Sequence, residues 1–80
     1  MQIPVIKQLS EEFTTDQLVA AEEAILNETQ PEIEIPGIDE GEQLTHVLAA
    51  IFIQNDMKDG PHDFRQALRN YSQKVRNSIS

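Results

Sequence analysis

A chain of 80 residues supplies one small hydrophobic core, and such a core usually needs a disulfide, a metal or a second subunit for stability. The sequence contains no cysteine, which excludes disulfides, and its net charge of −8 disfavours nucleic acid and anionic membranes as partners. We therefore predict a single helical domain over residues 1–80, an all-α bundle of three or four helices that is completed by oligomerisation.

The charge is divided unevenly along the chain. Residues 1–60 contain two basic and 13 acidic residues, whereas residues 61–80 contain four basic residues and one acidic residue. The C-terminal segment is therefore predicted to be a basic helix beside an acidic body.

The N-terminal segment has neither the basic start nor the apolar run of a secretory signal peptide. The longest apolar run, residues 47–53, is far shorter than the roughly 20 residues of a membrane span. We therefore expect a soluble cytoplasmic protein.

The first predicted element is a short helix near the N-terminus. Pro4 suits a first helical turn, because an amide donor is not needed there. The helix is expected to end near Glu12, and its apolar residues share one side: Val5, Ile6, Leu9 and Phe13. The alternative is an extended segment over residues 2–6 that pairs with the isoleucine-rich stretch near residue 34.

A capping box predicts the start of a second helix. The Thr14 hydroxyl is spaced to accept from the Gln17 amide, while the Gln17 side chain returns to the Thr14 amide. The helix then begins at Thr15 and ends near Asn27, ahead of the helix-breaking Pro31.

Residues 31–38, PEIEIPGI, have the two-residue period of a half-buried strand, because isoleucines alternate with glutamates. This pattern predicts one short extended segment at about residues 32–36. A lone strand needs a partner, so the segment is either a connector laid over the core or an edge that pairs across a dimer axis.

Residues 44–53, LTHVLAAIFI, are apolar on nearly every side of a helix, and the rest of the chain is organised around them. Asp39 is the predicted N-cap, and the helix is expected to end near Asn55 or Met57. One stripe is predicted to pack inside the chain: Leu44, Val47, Leu48, Ile51 and Phe52. The other side, whose small residues allow close helix approach, is the candidate interface with a second copy across a two-fold axis: His46, Ala49, Ala50 and Ile53.

The last helix is predicted to begin at Pro61 and to end near Ser78. Its amphipathic pattern is the strongest in the chain, with apolar residues on one face: Phe64, Ala67, Leu68, Tyr71, Val75 and Ile79. Beside that face lies a candidate salt-bridge stripe of Arg65, Arg69 and Arg76. We expect the stripe to pair with acidic helices of its own or a partner chain, and nucleic-acid binding is the disfavoured alternative.

Glu22 lies in the middle of the apolar side of the second helix. The favoured interpretation is that the carboxylate is rotated to the helix edge or paired with an arginine. Tyr71 and Ser72 lie at the same level of the last helix and could reach Glu22, so the three form a candidate polar site. A small acid/base enzyme that uses Glu22 or His46 is therefore the alternative to a binding protein.

His46 lies one turn from Glu42 and two turns from Asp39. These candidate ligands include no cysteine and are fewer than the four that a closed zinc site requires. We therefore predict neither a metal nor a cofactor. We expect instead a neutral histidine, in the core or at an interface, that bonds to Glu42 or to a backbone carbonyl.

Three segments, IPVIKQL at the start, EGEQLTHVLAAIFI in the middle and QKVRNSIS at the end, resemble a family of short, cysteine-free bacterial proteins known only as a domain of unknown function. The resemblance covers essentially the whole chain. It implies a bacterial cytoplasmic protein and, through genes that lie near those of thioredoxins and peroxiredoxins, an accessory role in thiol redox control. A chain without cysteine would serve there only as a binding partner. From the apolar central helix, and not from this resemblance, we predict a homodimeric protein-interaction module without catalysis.

Overall fold

A computed structural model describes residues 2–60 and 62–79 of the chain. Four helices account for most of these residues: α1, Ile3–Glu12; α2, Thr15–Leu26; α3, Glu40–Asp59; and α4, Phe64–Ile79. The described ranges contain no strand, so the prediction of an all-α fold is confirmed. The N-terminal segment is helical, and its extended alternative is excluded.

Local signals place the ends of the first two helices. Pro4 lies in the first turn of α1, which ends at Glu12 as predicted. Thr14 Oγ1 accepts from the Gln17 amide at 3.2 Å, while Gln17 Oε1 accepts from the Thr14 amide at 2.9 Å. The predicted capping box is therefore confirmed, and α2 begins at Thr15.

Replacing Thr14 by alanine should lower the free energy of unfolding by about 1 kcal/mol, because two amides at the start of α2 lose their bonding arrangement. Urea denaturation followed by circular dichroism measures this change. Thr45→Ala is the matched control, since that hydroxyl bonds only to the Gly41 carbonyl within α3. Equal destabilisation by the two substitutions would contradict the assignment of Thr14 as the cap.

The turn that ends helix α2 contains no glycine. Glu28 has a φ of 60°, a left-handed conformation that glycine usually occupies after a helix. The Glu28 amide bonds to the Ile25 carbonyl at 3.1 Å, and the Thr29 amide bonds to the Ala24 carbonyl at 2.8 Å. These two bonds satisfy carbonyls at the end of the helix and direct the chain into the following connector.

Residues 27–39 connect α2 to α3 and lie over the core. The predicted alternation is present, since Ile35 is buried and Ile33 is half-buried. The connector bends at residues 32 and 33 and finds no strand in the described ranges to pair with. Gly37 lets it pass close to α3, because a Cβ there would stand 2.9 Å from the Gln43 amide nitrogen. Within this chain the segment is thus a connector laid over the core.

Helix α3 begins as predicted, with Asp39 Oδ1 accepting from the Glu42 amide at 2.8 Å. It ends at Asp59, beyond the predicted end near Asn55 or Met57. Helix α4 begins at Phe64, because Asp63 Oδ1 accepts from the Gln66 amide at 2.9 Å and so caps the helix. Pro61, the predicted start, lies outside the described residues.

The Gln54 side chain of α3 hydrogen-bonds to the turn between α1 and α2. Gln54 Nε2 donates to the carbonyls of Ser10 at 3.0 Å and Phe13 at 2.6 Å, and Gln54 Oε1 accepts from the Thr15 hydroxyl at 2.8 Å. Carbonyls at a helix end lack partners within the helix, so the Gln54 amide satisfies groups that the turn would leave open.

Helices α2 and α4 lie on opposite sides of α3. Gln54 contacts α2, whereas Phe52 and Asp56, each two residues away, contact α4. The Phe52 and Tyr71 ring centroids are 5.4 Å apart, and Asn70 donates to Asp56 at 2.9 Å. Two residues correspond to about 200° around a helix. The three helices therefore form one antiparallel layer with α3 in the middle.

Helix α1 and the connector cover one face of this layer. Both meet at His46, which bonds to the amide of Gln2 and to the carbonyl of Pro36. The core fills the space between them and the layer, and its buried apolar residues come from every element: Ile6, Leu9, Leu18, Ala21, Ile25, Ile35, Val47, Ala49, Ala50, Ile53 and Ala67.

Candidate functional site

The side of α3 predicted to meet a second copy lies inside the chain. His46, Ala49, Ala50 and Ile53 are each fully buried within the monomer. Their placement at an interface is therefore wrong. The small residues do permit close helix approach, as predicted, but this approach is made by the other helices of the same chain.

The stripe predicted to pack inside the chain is divided. Val47 is fully buried, and Leu44, Ile51 and Phe52 are half-buried and pack against the core as predicted, but Leu48 is 39% exposed. Leu48 is two residues from His46 and so lies about 200° around α3 from the side that α1 covers. The outer side of the central helix is thus apolar and only partly covered.

Helix α2 adds two exposed apolar side chains, Val19 at 38% and Leu26 at 60% exposure. The connector lies along the side of α2 that carries Gln17 and Ala24. Val19 and Leu26 each stand two residues from one of these positions, about 200° around the helix. They therefore lie on the side of α2 that faces away from the connector.

These α2 side chains lie beside the uncovered side of α3. Because Thr15 bonds to Gln54 and Ile25 lies beside Gln43, the antiparallel register puts Val19 near the level of Ile51 and Leu26 near that of Leu44. We call this surface the open face, and it consists of Val19, Leu26, Leu44, Leu48 and Ile51.

The candidate polar site is not assembled. Glu22 is half-buried on α2, one turn from both Val19 and Leu26, and so lies at the open face. Tyr71 and Ser72 are on α4, across α3 from Glu22. Burial raises the pKa of the Tyr71 hydroxyl above its ordinary value, and its ring packs against Phe52. The expectation that these residues meet Glu22 is therefore not met.

His46 is a core residue that has a backbone partner on each nitrogen. Nε2 accepts from the Gln2 amide at 3.0 Å, so the proton resides on Nδ1, which donates to the Pro36 carbonyl at 2.8 Å. Glu42 Oε1 is 3.8 Å from Nε2, beyond hydrogen-bond distance. The expected bond to a backbone carbonyl is confirmed, and neither nitrogen is open to a substrate.

Within residues 2–60 and 62–79, no group of three or more histidine, aspartate and glutamate side chains is positioned to hold a metal ion. The two histidines have separate partners. His62 Nδ1 lies 3.2 Å from Asp56 Oδ2 at the turn between α3 and α4, far along the chain from His46.

The arginine stripe is exposed on α4. In the part of the chain that the structure describes, Arg65, Arg69 and Arg76 form no ion pair with an acidic side chain. Pairing with acidic helices of the same chain is therefore not observed. The other predicted partner, an acidic surface of a second chain, remains a prediction.

These features define a small all-α protein whose surface offers apolar and charged faces on a layer of three helices. The profile of a family of unknown function (DUF6952) matches residues 1–80, and the chain belongs to this family. Comparisons with curated proteins and with solved structures give no match. No helix in the described ranges is long and apolar enough to cross a membrane.

Proposed function

We propose that the protein is a cytoplasmic, non-catalytic association module that forms a homodimer through the open face. The observation that supports this proposal is that α1 and the connector cover one face of the helix layer, whereas the opposite face carries five apolar side chains, of which Val19, Leu26 and Leu48 are exposed and Leu44 and Ile51 are half-buried. A contiguous apolar surface of this kind is typical of an interaction site.

The charges of the layer favour one arrangement of the two copies. Helix α2 carries Asp16, Glu22 and Glu23 without a basic residue, and α4 carries four basic residues without an acidic one. A two-fold axis parallel to the helices puts α2 of one copy opposite α4 of the other. A two-fold axis perpendicular to the helices, in the plane of the interface, would place α2 of one copy opposite α2 of the other. Like charges disfavour that arrangement.

The size of the molecule permits a stable interface. Its principal extents are 34, 29 and 19 Å, and the shortest is that expected for two helix layers. The broad side is large enough to bury about 800 Å² per partner, the area of a standard stable complex.

Leu48→Glu should convert the dimer to a monomer without loss of helix content. The substitution places one carboxylate of each copy at the centre of the interface, and the cost of burying it raises the dissociation constant by about a hundredfold or more. Sedimentation equilibrium over a wide concentration range measures the constant. Gln8→Glu, which adds the same charge on the exposed side of α1, should leave it nearly unchanged. A wild-type chain that stays monomeric, or a dimer insensitive to Leu48→Glu, would refute the proposal.

A further inference from the structure

We propose that the groove between α1 and α4 binds an acidic amphipathic helix of another protein. The groove has a volume of about 410 Å³, and α1 contributes Ile3 and Lys7 to its walls. Its apolar lining is accessible, since Ile3 is 49% exposed and the α4 residues Phe64 and Leu68 are half-buried.

The apolar lining continues along α4 as a stripe that fits a helix. Phe64, Leu68 and Val75 follow one side of α4 at offsets of 0, 4 and 11 residues, a length of about 16 Å or three turns, whereas Tyr71 on the same side packs against Phe52 of α3. Of the described side chains of α4, Ala67 alone is fully buried, and Val75 is 40% exposed. An amphipathic helix of about three turns could lay its apolar anchors along this length.

The edges of the groove carry a net positive charge. Lys7 Nζ lies 5.9 Å from the centroid of the Phe64 ring, and Arg65 lines the groove on α4. Neither side chain has an ion-pair partner among the residues that the structure describes. Asp63 also lines the groove and caps α4 through the Gln66 amide, so Lys7, Arg65 and Asp63 together give the lining a net charge of 2 − 1 = +1. A partner with acidic residues beside its apolar stripe would complement these edges.

The acidic helix α2 does not cancel this attraction. The acidic helix α2 lies across α3 from α4, about 16 to 20 Å away if each helix pair is separated by 8 to 10 Å. This separation exceeds the Debye length of about 8 Å at physiological ionic strength. The groove therefore presents its basic edges largely unaffected by the acids of α2.

The occupant is another protein rather than this chain or a nucleic acid. A second copy of this chain would have to offer its acidic helix α2, whose exposed apolar residues Val19 and Leu26 belong to the open face of the proposed dimer. A phosphate backbone would use the arginines but leave Ile3, Phe64 and Leu68 exposed to water. The site goes beyond the proposed dimer, because α1 and the open face lie on opposite sides of α3, which leaves the groove accessible in either oligomeric state.

A synthetic acidic peptide tests the site. The probe is a fluorescently labelled helical peptide with leucines at offsets 0, 4, 7 and 11 and glutamates on its other side, and a scrambled peptide of the same composition is its control. Fluorescence anisotropy should show binding of the amphipathic peptide and little binding of the scrambled one. Lys7→Glu and Arg65→Glu should each weaken binding about fivefold or more, because like charges then face one another.

Two further variants test whether the peptide binds in the groove itself. Lys58→Glu, the same charge reversal on exposed α3 surface, should change the affinity less than about twofold. Leu68→Gln should weaken binding at unchanged helix content and unchanged oligomeric state. Equal binding of both peptides, no binding, insensitivity to Lys7→Glu and Arg65→Glu, or displacement of the peptide by a DNA duplex would each overturn the proposal. Leu48→Glu separates the groove from the proposed dimer, since it should abolish the dimer and leave peptide affinity intact.

Discussion

Ala50→Glu should prevent the chain from folding. Ala50 is fully buried in α3, and glutamate would add both volume and an unpaired charge to the closed space between α3 and its neighbours. Such a change costs several kcal/mol, which approaches the whole stability of a domain of this size, about 4 to 12 kcal/mol. Circular dichroism in the absence of denaturant should show the loss of helix.

Leu48→Glu is the matched control for this prediction, because it introduces the same residue two positions earlier in the same helix. Leu48 is 39% exposed, so its variant should fold and lose only the proposed dimer contact. A folded, monomeric Ala50→Glu chain would contradict the structure and show that Ala50 lies at the surface. The pair therefore decides which side of α3 forms the core.

His46→Ala should lower the free energy of unfolding by about 3 kcal/mol or more. The substitution leaves a cavity in place of a fully buried ring, and it leaves the Gln2 amide and the Pro36 carbonyl without their partner. The loss should also free the start of α1 and the connector, whose amides should then exchange faster with solvent. Urea denaturation and amide hydrogen exchange measure the two effects.

The second histidine is the control. His62 is exposed and lies 3.2 Å from Asp56 at the turn between α3 and α4, so His62→Ala should change stability by less than about 1 kcal/mol. If the two substitutions had equal effects, or if His46→Ala left exchange at the connector unchanged, the proposed role of His46 in joining α1 to the connector would be refuted.

Four helices and most of their boundaries could be predicted from the sequence, because helix ends depend on residues three or four positions apart. Thr14 with Gln17 and Asp39 with Glu42 are signals of this range, and both act as predicted. The end of α2 was less clear from sequence, since Glu28 adopts a left-handed conformation that carries no glycine signal.

The candidate sites could not be predicted in the same way. The partners of His46 are Gln2, 44 residues away, and Pro36, and both are backbone groups that side-chain patterns do not reveal. No feature of the sequence indicates that α2, which carries Glu22, and α4, which carries Tyr71, pack on opposite sides of α3. Their separation follows only from the contacts that each helix makes with α3.

The sequence by itself determined that the protein is helical, that residues 44–53 form its centre and that α4 is a basic amphipathic helix. It did not determine which side of α3 faces inward, because a helix that is apolar all round has no periodicity to choose one. The tertiary structure decided this: α1 and the connector pack where Ala49 and Ala50 allow close approach and where His46 can bond to both. The larger Leu44, Leu48 and Ile51 were thereby left on the outer side. Their exposure is a consequence of packing between segments distant in sequence, which no local pattern records.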